Sequence, residues 1–146
     1  MEAIRKKILK IHGTVALVAG TVLAILSTIG AISGTGIFKF LQQDKLVHAG
    51  LLQAYLLFAL IGFILITVSR QENVRKWNCV GAAAHALILI AYLMYWNLFV
   101  TIENGMLMRT GGLVFHSIFL SIEIWAGFIF ENEIEKNRLA LNKNTL

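Results

Sequence analysis

Four apolar runs, at residues 8–33, 46–69, 77–100 and 110–130, dominate this 146-residue chain. Each is long enough to cross a hydrocarbon core, which takes about 20 helical residues. The chain is 58% hydrophobic and only 14% charged, with a mean hydropathy of +0.73, outside the balance of a soluble domain. The runs leave no room for a separate soluble domain. The expectation is an all-α integral membrane protein, one four-helix transmembrane domain whose short connections make sequence neighbours spatial neighbours in an up-down-up-down bundle. The sequence contains no proline, so none of the helices has a proline kink.

Lysine and arginine gather at the amino end (Arg5, Lys6, Lys7, Lys10), in the middle loop (Arg70, Arg75, Lys76) and in the tail (Lys136, Arg138, Lys143). Cytoplasmic loops carry that excess, so both termini are expected on the cytoplasmic side. The net charge of +5 belongs to these inner segments, and contact with lipid head groups accounts for it; nothing points to nucleic acid. The first run is longer than a signal h-region, so it reads as a retained helix. The single Cys79 has no partner for an intrachain disulfide and reads as a packing residue. Residues 131–146 read as a cytoplasmic tail that prolongs the fourth helix before fraying.

Each apolar run carries one histidine near an end: His12, His48, His85 and His116. Ionisable residues inside a membrane are rare, face the bundle interior and mark working sites. Counted from the start of each run at 1.5 Å per residue, His12 and His85 fall roughly 6–12 Å inside the inner face, and His48 and His116 roughly 3–9 Å inside the outer face. The spacing thus predicts two pairs on diagonal helices, His12 with His85 and His48 with His116. Two facing imidazoles on parallel helices suit the axial ligation of a haem iron. The alternatives are another metal, a proton path, or histidines that only pack. Zinc or copper asks for three or four clustered ligands, and these come in twos.

A macrocycle needs room, and glycine lets it approach a helix backbone. Gly30 lies on the face of His12 at the outer end, and Gly62 and Gly127 lie close to the faces of His48 and His116 at the inner end, so these three are expected to border haem edges. Gly81 and Gly112 precede His85 and His116 by one turn. Helix three instead presents Tyr92 and Trp96 along the face of His85. Lys45 and Arg109 sit beside His48 and His116 at the outer ends, placed to pair with propionates. Glu123, seven residues after His116, is expected near mid-membrane on the inward face, protonated at neutral pH and serving proton transfer in the outer half; as a structural acid it would reach Tyr55 or Tyr92.

One histidine per helix, at intervals of about 31–37 residues, resembles the four-helix haem core of the cytochrome b561 superfamily. The strings Lys10-Ile-His12-Gly13 and Lys45-Leu-Val-His48-Ala-Gly50 are similar to the histidine neighbourhoods on that core's first two helices. The resemblance implies four axial histidines, two b haems and electron transfer across the membrane; ascorbate-site signatures are absent. Small bacterial four-helix relatives that handle quinones or superoxide match the size, but neither donor nor acceptor carries over from the resemblance; the leading expectation is a dihaem cytochrome of a prokaryotic cytoplasmic membrane moving electrons between a quinol or soluble reductant and an acceptor on the other face. Two other classes stand beside this one. The first is a non-catalytic subunit or assembly factor of a respiratory complex, and the second a small transporter that uses Glu123 and the histidines as a proton path.

Overall fold

The computed structural model describes residues 2–97, 101 and 105–129. It is all-helical: α1 spans Glu2–Ser33, α2 Lys45–Val68, α3 Arg75–Met94 and α4 Gly105–Ile124, and a π-helical turn, Trp125–Ile129, continues α4. Four of these helices are long and apolar enough to cross a membrane. The expected extension of the fourth helix through residues 131–146 lies outside the described residues.

The distribution of side-chain sizes is that of helices made for lipid. The buried face of α1 is built from small residues, among them Gly13, Ala16, Gly20, Ala24, Ser27 and Ala31. Large aliphatic side chains such as Ile25, Ile32, Leu46, Leu57 and Leu87 face outward. In lipid, helices associate by close backbone packing rather than by burying large apolar groups, and small residues permit it.

That packing is tightest between α1 and α2. A Cβ on Gly13 would lie 2.7 Å from the Gly62 carbonyl oxygen, and one on Gly62 would lie 2.6 Å from that of Gly13. Further along, Gly20 meets Tyr55 and Ala59, so the two helices run antiparallel. In the α3–α4 pair, Gly81 adjoins Glu123 and Gly112 adjoins Tyr92, which gives the same antiparallel sense. The molecule is therefore two helical hairpins, and α1 makes the main contacts between them, with α3, α4 and the π turn.

The ends are fastened by polar contacts. Gly34, at φ +68°, closes α1, and its amide donates to the Gly30 carbonyl at 2.9 Å, the left-handed termination glycine favours. Asp44 caps α2, its side chain accepting from the Val47 amide at 3.0 Å. At the opposite end, Glu2 accepts from the Val74 amide at 2.9 Å. Arg5 and Arg75 donate through Nε to the carbonyls of Ala126 and Gly127, each at 2.9 Å. Two apolar plugs accompany these fastenings: Leu9, Leu65, Val68 and Val74 at the Arg5 end, and Ala31, Phe38 and Leu41 at the other. Replacing Asp44 with alanine is expected to cost about 1 kcal/mol of stability, the usual effect of a lost N-cap, read as a lower unfolding midpoint in mixed micelles.

Candidate functional site

Three of the four histidines meet between the plugs. His12 on α1 and His85 on α3 face one another with Nε2 to Nε2 at 2.8 Å, and both are 1% exposed. Nδ1 of His12 lies 2.5 Å from Glu123 Oε1, while Nδ1 of His85 lies 2.7 Å from His116 Nδ1. Asn78 donates to the other carboxyl oxygen of Glu123 at 2.7 Å. Asn78, Glu123, His12, His85 and His116 thus form one unbroken line, buried from Asn78 to His85 and half-buried at His116. Phe119 covers it, 4.8 Å from the His12 ring and 5.4 Å from that of His85, stacked nearly parallel on the latter.

The protons in this line can be assigned consistently. If Nδ1 of His12 donates to Glu123, its Nε2 is bare and accepts from Nε2–H of His85. Nδ1 of His85 is then bare and accepts from Nδ1–H of His116. Every neutral imidazole spends its one N–H and one lone pair. With both Nε2 atoms bare, two lone pairs would face each other at 2.8 Å, an arrangement that calls for a cation between them.

The expected pair His12–His85 is brought together; the pair His48–His116 is not. Phe58 packs edge-on against His116 with ring centroids 6.2 Å apart. His48 stands ten residues earlier on α2, about 15 Å further along the axis. It sits half-buried in the first turn, its Nε2 buried without a partner among the described residues. The last apolar run opens at residue 110, whereas α4 begins at Gly105. His116 therefore comes level with His85, itself at the middle of α3.

Glu123 faces the interior, 0% exposed, but near the end that carries Arg5 rather than in the outer half. Its partners are His12 and Asn78, not Tyr55 or Tyr92. Its Oε1 lies against His12 Nδ1, and its Oε2 accepts from the Asn78 side-chain amide.

The three glycines border helices and loops instead of an open slot. Gly30 seats Phe38 of the connecting segment, a Cβ there falling 2.6 Å from its backbone; Gly62 abuts Gly13 and Leu17; Gly127 lies against Cys79. The same helical period serves both a cofactor edge and a neighbouring backbone, so spacing alone does not separate them. Lys45 donates to the Ala31 carbonyl at 2.6 Å, at the end of α1. Arg109 is buried, its guanidinium 3.8 Å from the Trp96 ring centroid and Nη2 on Met106 Sδ at 2.8 Å.

A cavity of about 420 Å³ adjoins the line, lined in part by Tyr55, Phe58, Tyr92, Met108, Phe115 and His116. Residues of all four helices border it, on the faces that carry the histidines. Among the described residues no three His, Cys, Asp or Glu side chains converge as a metal-binding group. Asn78, Phe119 and Arg5 were not singled out from the sequence. Asn78 precedes His85 by seven residues and Arg5 precedes His12 by seven, so shared helical faces were the available signal for both. Comparison of the chain with protein-family models, curated proteins and solved structures finds no match.

Proposed function

We propose that this chain is a b-type membrane cytochrome whose haem is held between α1 and α3 by Nε2 of His12 and Nε2 of His85. The observation that carries the reading is the orientation of these two rings. Their Nε2 atoms face each other while each Nδ1 is engaged by a further group, the disposition of a ligand pair with supporting hydrogen bonds. The two nitrogens stand 2.8 Å apart, so α1 and α3 would have to part for an iron to be held between them. The extra space would come from the seam between the two hairpins, where side chains meet and no glycine-to-backbone contact locks α1 to α3. The cavity of about 420 Å³ lies beside His116 and is bordered by all four helices, but by neither His12 nor His85.

When bound, haem supplies reversible one-electron chemistry. The protein's part is to hold the two imidazoles in one tautomer, to exclude water with the apolar plugs, and to fix the ligand helices by the contacts of Glu2, Arg5 and Arg75. The activity that fits is electron transfer across the membrane between a quinol or soluble reductant and an acceptor on the other face. The bundle would run up-down-up-down with both termini cytoplasmic, in a prokaryotic cytoplasmic membrane, in keeping with the resemblance to the cytochrome b561 core. The proposal is for one haem per chain, because His48 and His116 are too far apart along the bundle to share an iron. Lys45 and Arg109 already have partners within the protein, so propionate pairing by them is not part of it.

A second reading rests on the unbroken hydrogen-bonded line itself. Without a cation, His116, His85 and His12 can pass a proton one way to Glu123, each ring accepting at one nitrogen as it releases at the other. A reduced-minus-oxidised visible spectrum of the purified protein separates the two. Sharp bands of a low-spin b haem are the expected result, and a featureless spectrum would leave the proton path.

A further inference from the structure

The cavity beside the histidine line is walled mainly by apolar groups, and three of its lining side chains carry hydrogen-bonding atoms: Tyr55, Tyr92 and His116. The rings of Tyr92 and His116 stand 6.1 Å apart, and the Tyr92 hydroxyl lies against Gly112, one turn before His116. His116 is also the end of the hydrogen-bonded line. Its Nδ1 is spent on His85 at 2.7 Å, so Nε2 is the nitrogen that remains for an occupant of the cavity.

The line defines what that occupant must offer. When Nδ1–H of His116 donates to His85, its Nε2 is a bare acceptor; when the order of protons is reversed, Nδ1 accepts from His85 and Nε2 carries the hydrogen. A hydroxyl group satisfies both orders, donating in the first and accepting in the second, whereas a carbonyl serves only the second. A charged group would lose its hydration against an apolar wall, so the occupant is neutral. Phe58 and Phe115 border the same space, and aromatic side chains pack favourably on a further ring, offset or edge to face. An apolar cavity of about 150 Å³ takes a benzene ring, so the roughly 420 Å³ here admits a fused bicyclic.

We propose that this cavity is a binding site for a neutral aromatic alcohol, whose hydroxyl is hydrogen-bonded to Nε2 of His116 and whose rings lie among Phe58, Met108 and Phe115. The site is apart from the contact of His12 with His85, neither of which lines it, and it requires no iron. The occupant is nonetheless joined to Glu123, because the hydrogen bonds of His116, His85 and His12 reverse their order together.

The test measures binding of 2-naphthol and of 2-methylnaphthalene, which has the same shape without the hydroxyl, to the full-length protein in lipid nanodiscs. Each is corrected for its partition into empty nanodiscs of the same lipid. The wild type is expected to hold 2-naphthol about fivefold more tightly than 2-methylnaphthalene, the worth of one net hydrogen bond. His116→Phe, which keeps a ring and removes the nitrogen, is expected to bring the two to near equality. Equal binding by the wild type would make the cavity a plain apolar slot, and binding of neither above partition would leave it to lipid chains; either overturns the proposal without touching the reading of His12 and His85. A preference that survives in folded His116→Phe overturns it as well. If that variant does not fold, the nitrogen-15 resonance of His116 Nε2 in the wild type decides: displacement by 2-naphthol but not by 2-methylnaphthalene supports the site, and an unmoved resonance overturns it.

Discussion

Replacing His12 or His85 with alanine is expected to abolish haem binding, whereas His48→Ala is expected to leave it intact. On the proposed reading each of the two would supply one nitrogen to the iron, and both lie 1% exposed in the seam between the hairpins. His48 stands about 15 Å from the level of His116, and its Nε2 has no hydrogen-bond partner among the described residues. The measurement is haem retained per folded chain after purification, with helical content by circular dichroism to separate loss of ligand from loss of fold. Haem loss from His48→Ala equal to that from His12→Ala would restore the two-pair arrangement of the sequence reading.

Gly62→Leu is expected to produce the largest loss of stability among surface-to-core glycine substitutions. A side chain at Gly62 would meet the Gly13 carbonyl at 2.6 Å and the backbone of Leu17, atoms that cannot rotate aside. Overpacking costs about 1–3 kcal/mol where side chains can give, and a backbone obstacle puts this site at the upper end or beyond. Gly50 is the control, since nothing lies within 4 Å of a Cβ there, and leucine should be tolerated. Unfolding midpoints in mixed micelles decide the matter: equal midpoints for Gly62→Leu and Gly50→Leu would remove the α1–α2 crossing as the principal contact.

The four helices, the inward face of Glu123 and the meeting of His12 with His85 were all legible in the sequence, because apolar run length and helical period carry them directly. The depth of His116 was not. Its error came from one boundary, since Gly105-Met-Leu-Met is helical ahead of the Arg109 and Thr110 that mark the onset of the last apolar run. Arg109 is buried under Trp96, so a charged residue that reads as a border lies inside the helix. The glycines show how one helical period serves two kinds of neighbour. Gly62 and Gly127 do occupy close approaches, but what approaches is a neighbouring helix, and only tertiary contacts distinguish the two. Glu123 was readable as an interior acid, yet its partner depended on the relative shift of α1 and α4. Arg5 on Ala126 sets that shift, and no sequence period encodes it.

The most direct test of the central claim is a pyridine haemochrome determination on the purified wild-type protein, referred to chain concentration by amino-acid analysis. One b haem per chain is the result expected from a single facing pair of imidazoles between α1 and α3. No haem would contradict the ligation of iron by His12 and His85, and two per chain would contradict the assignment of His116 to the support of His85 rather than to a centre of its own.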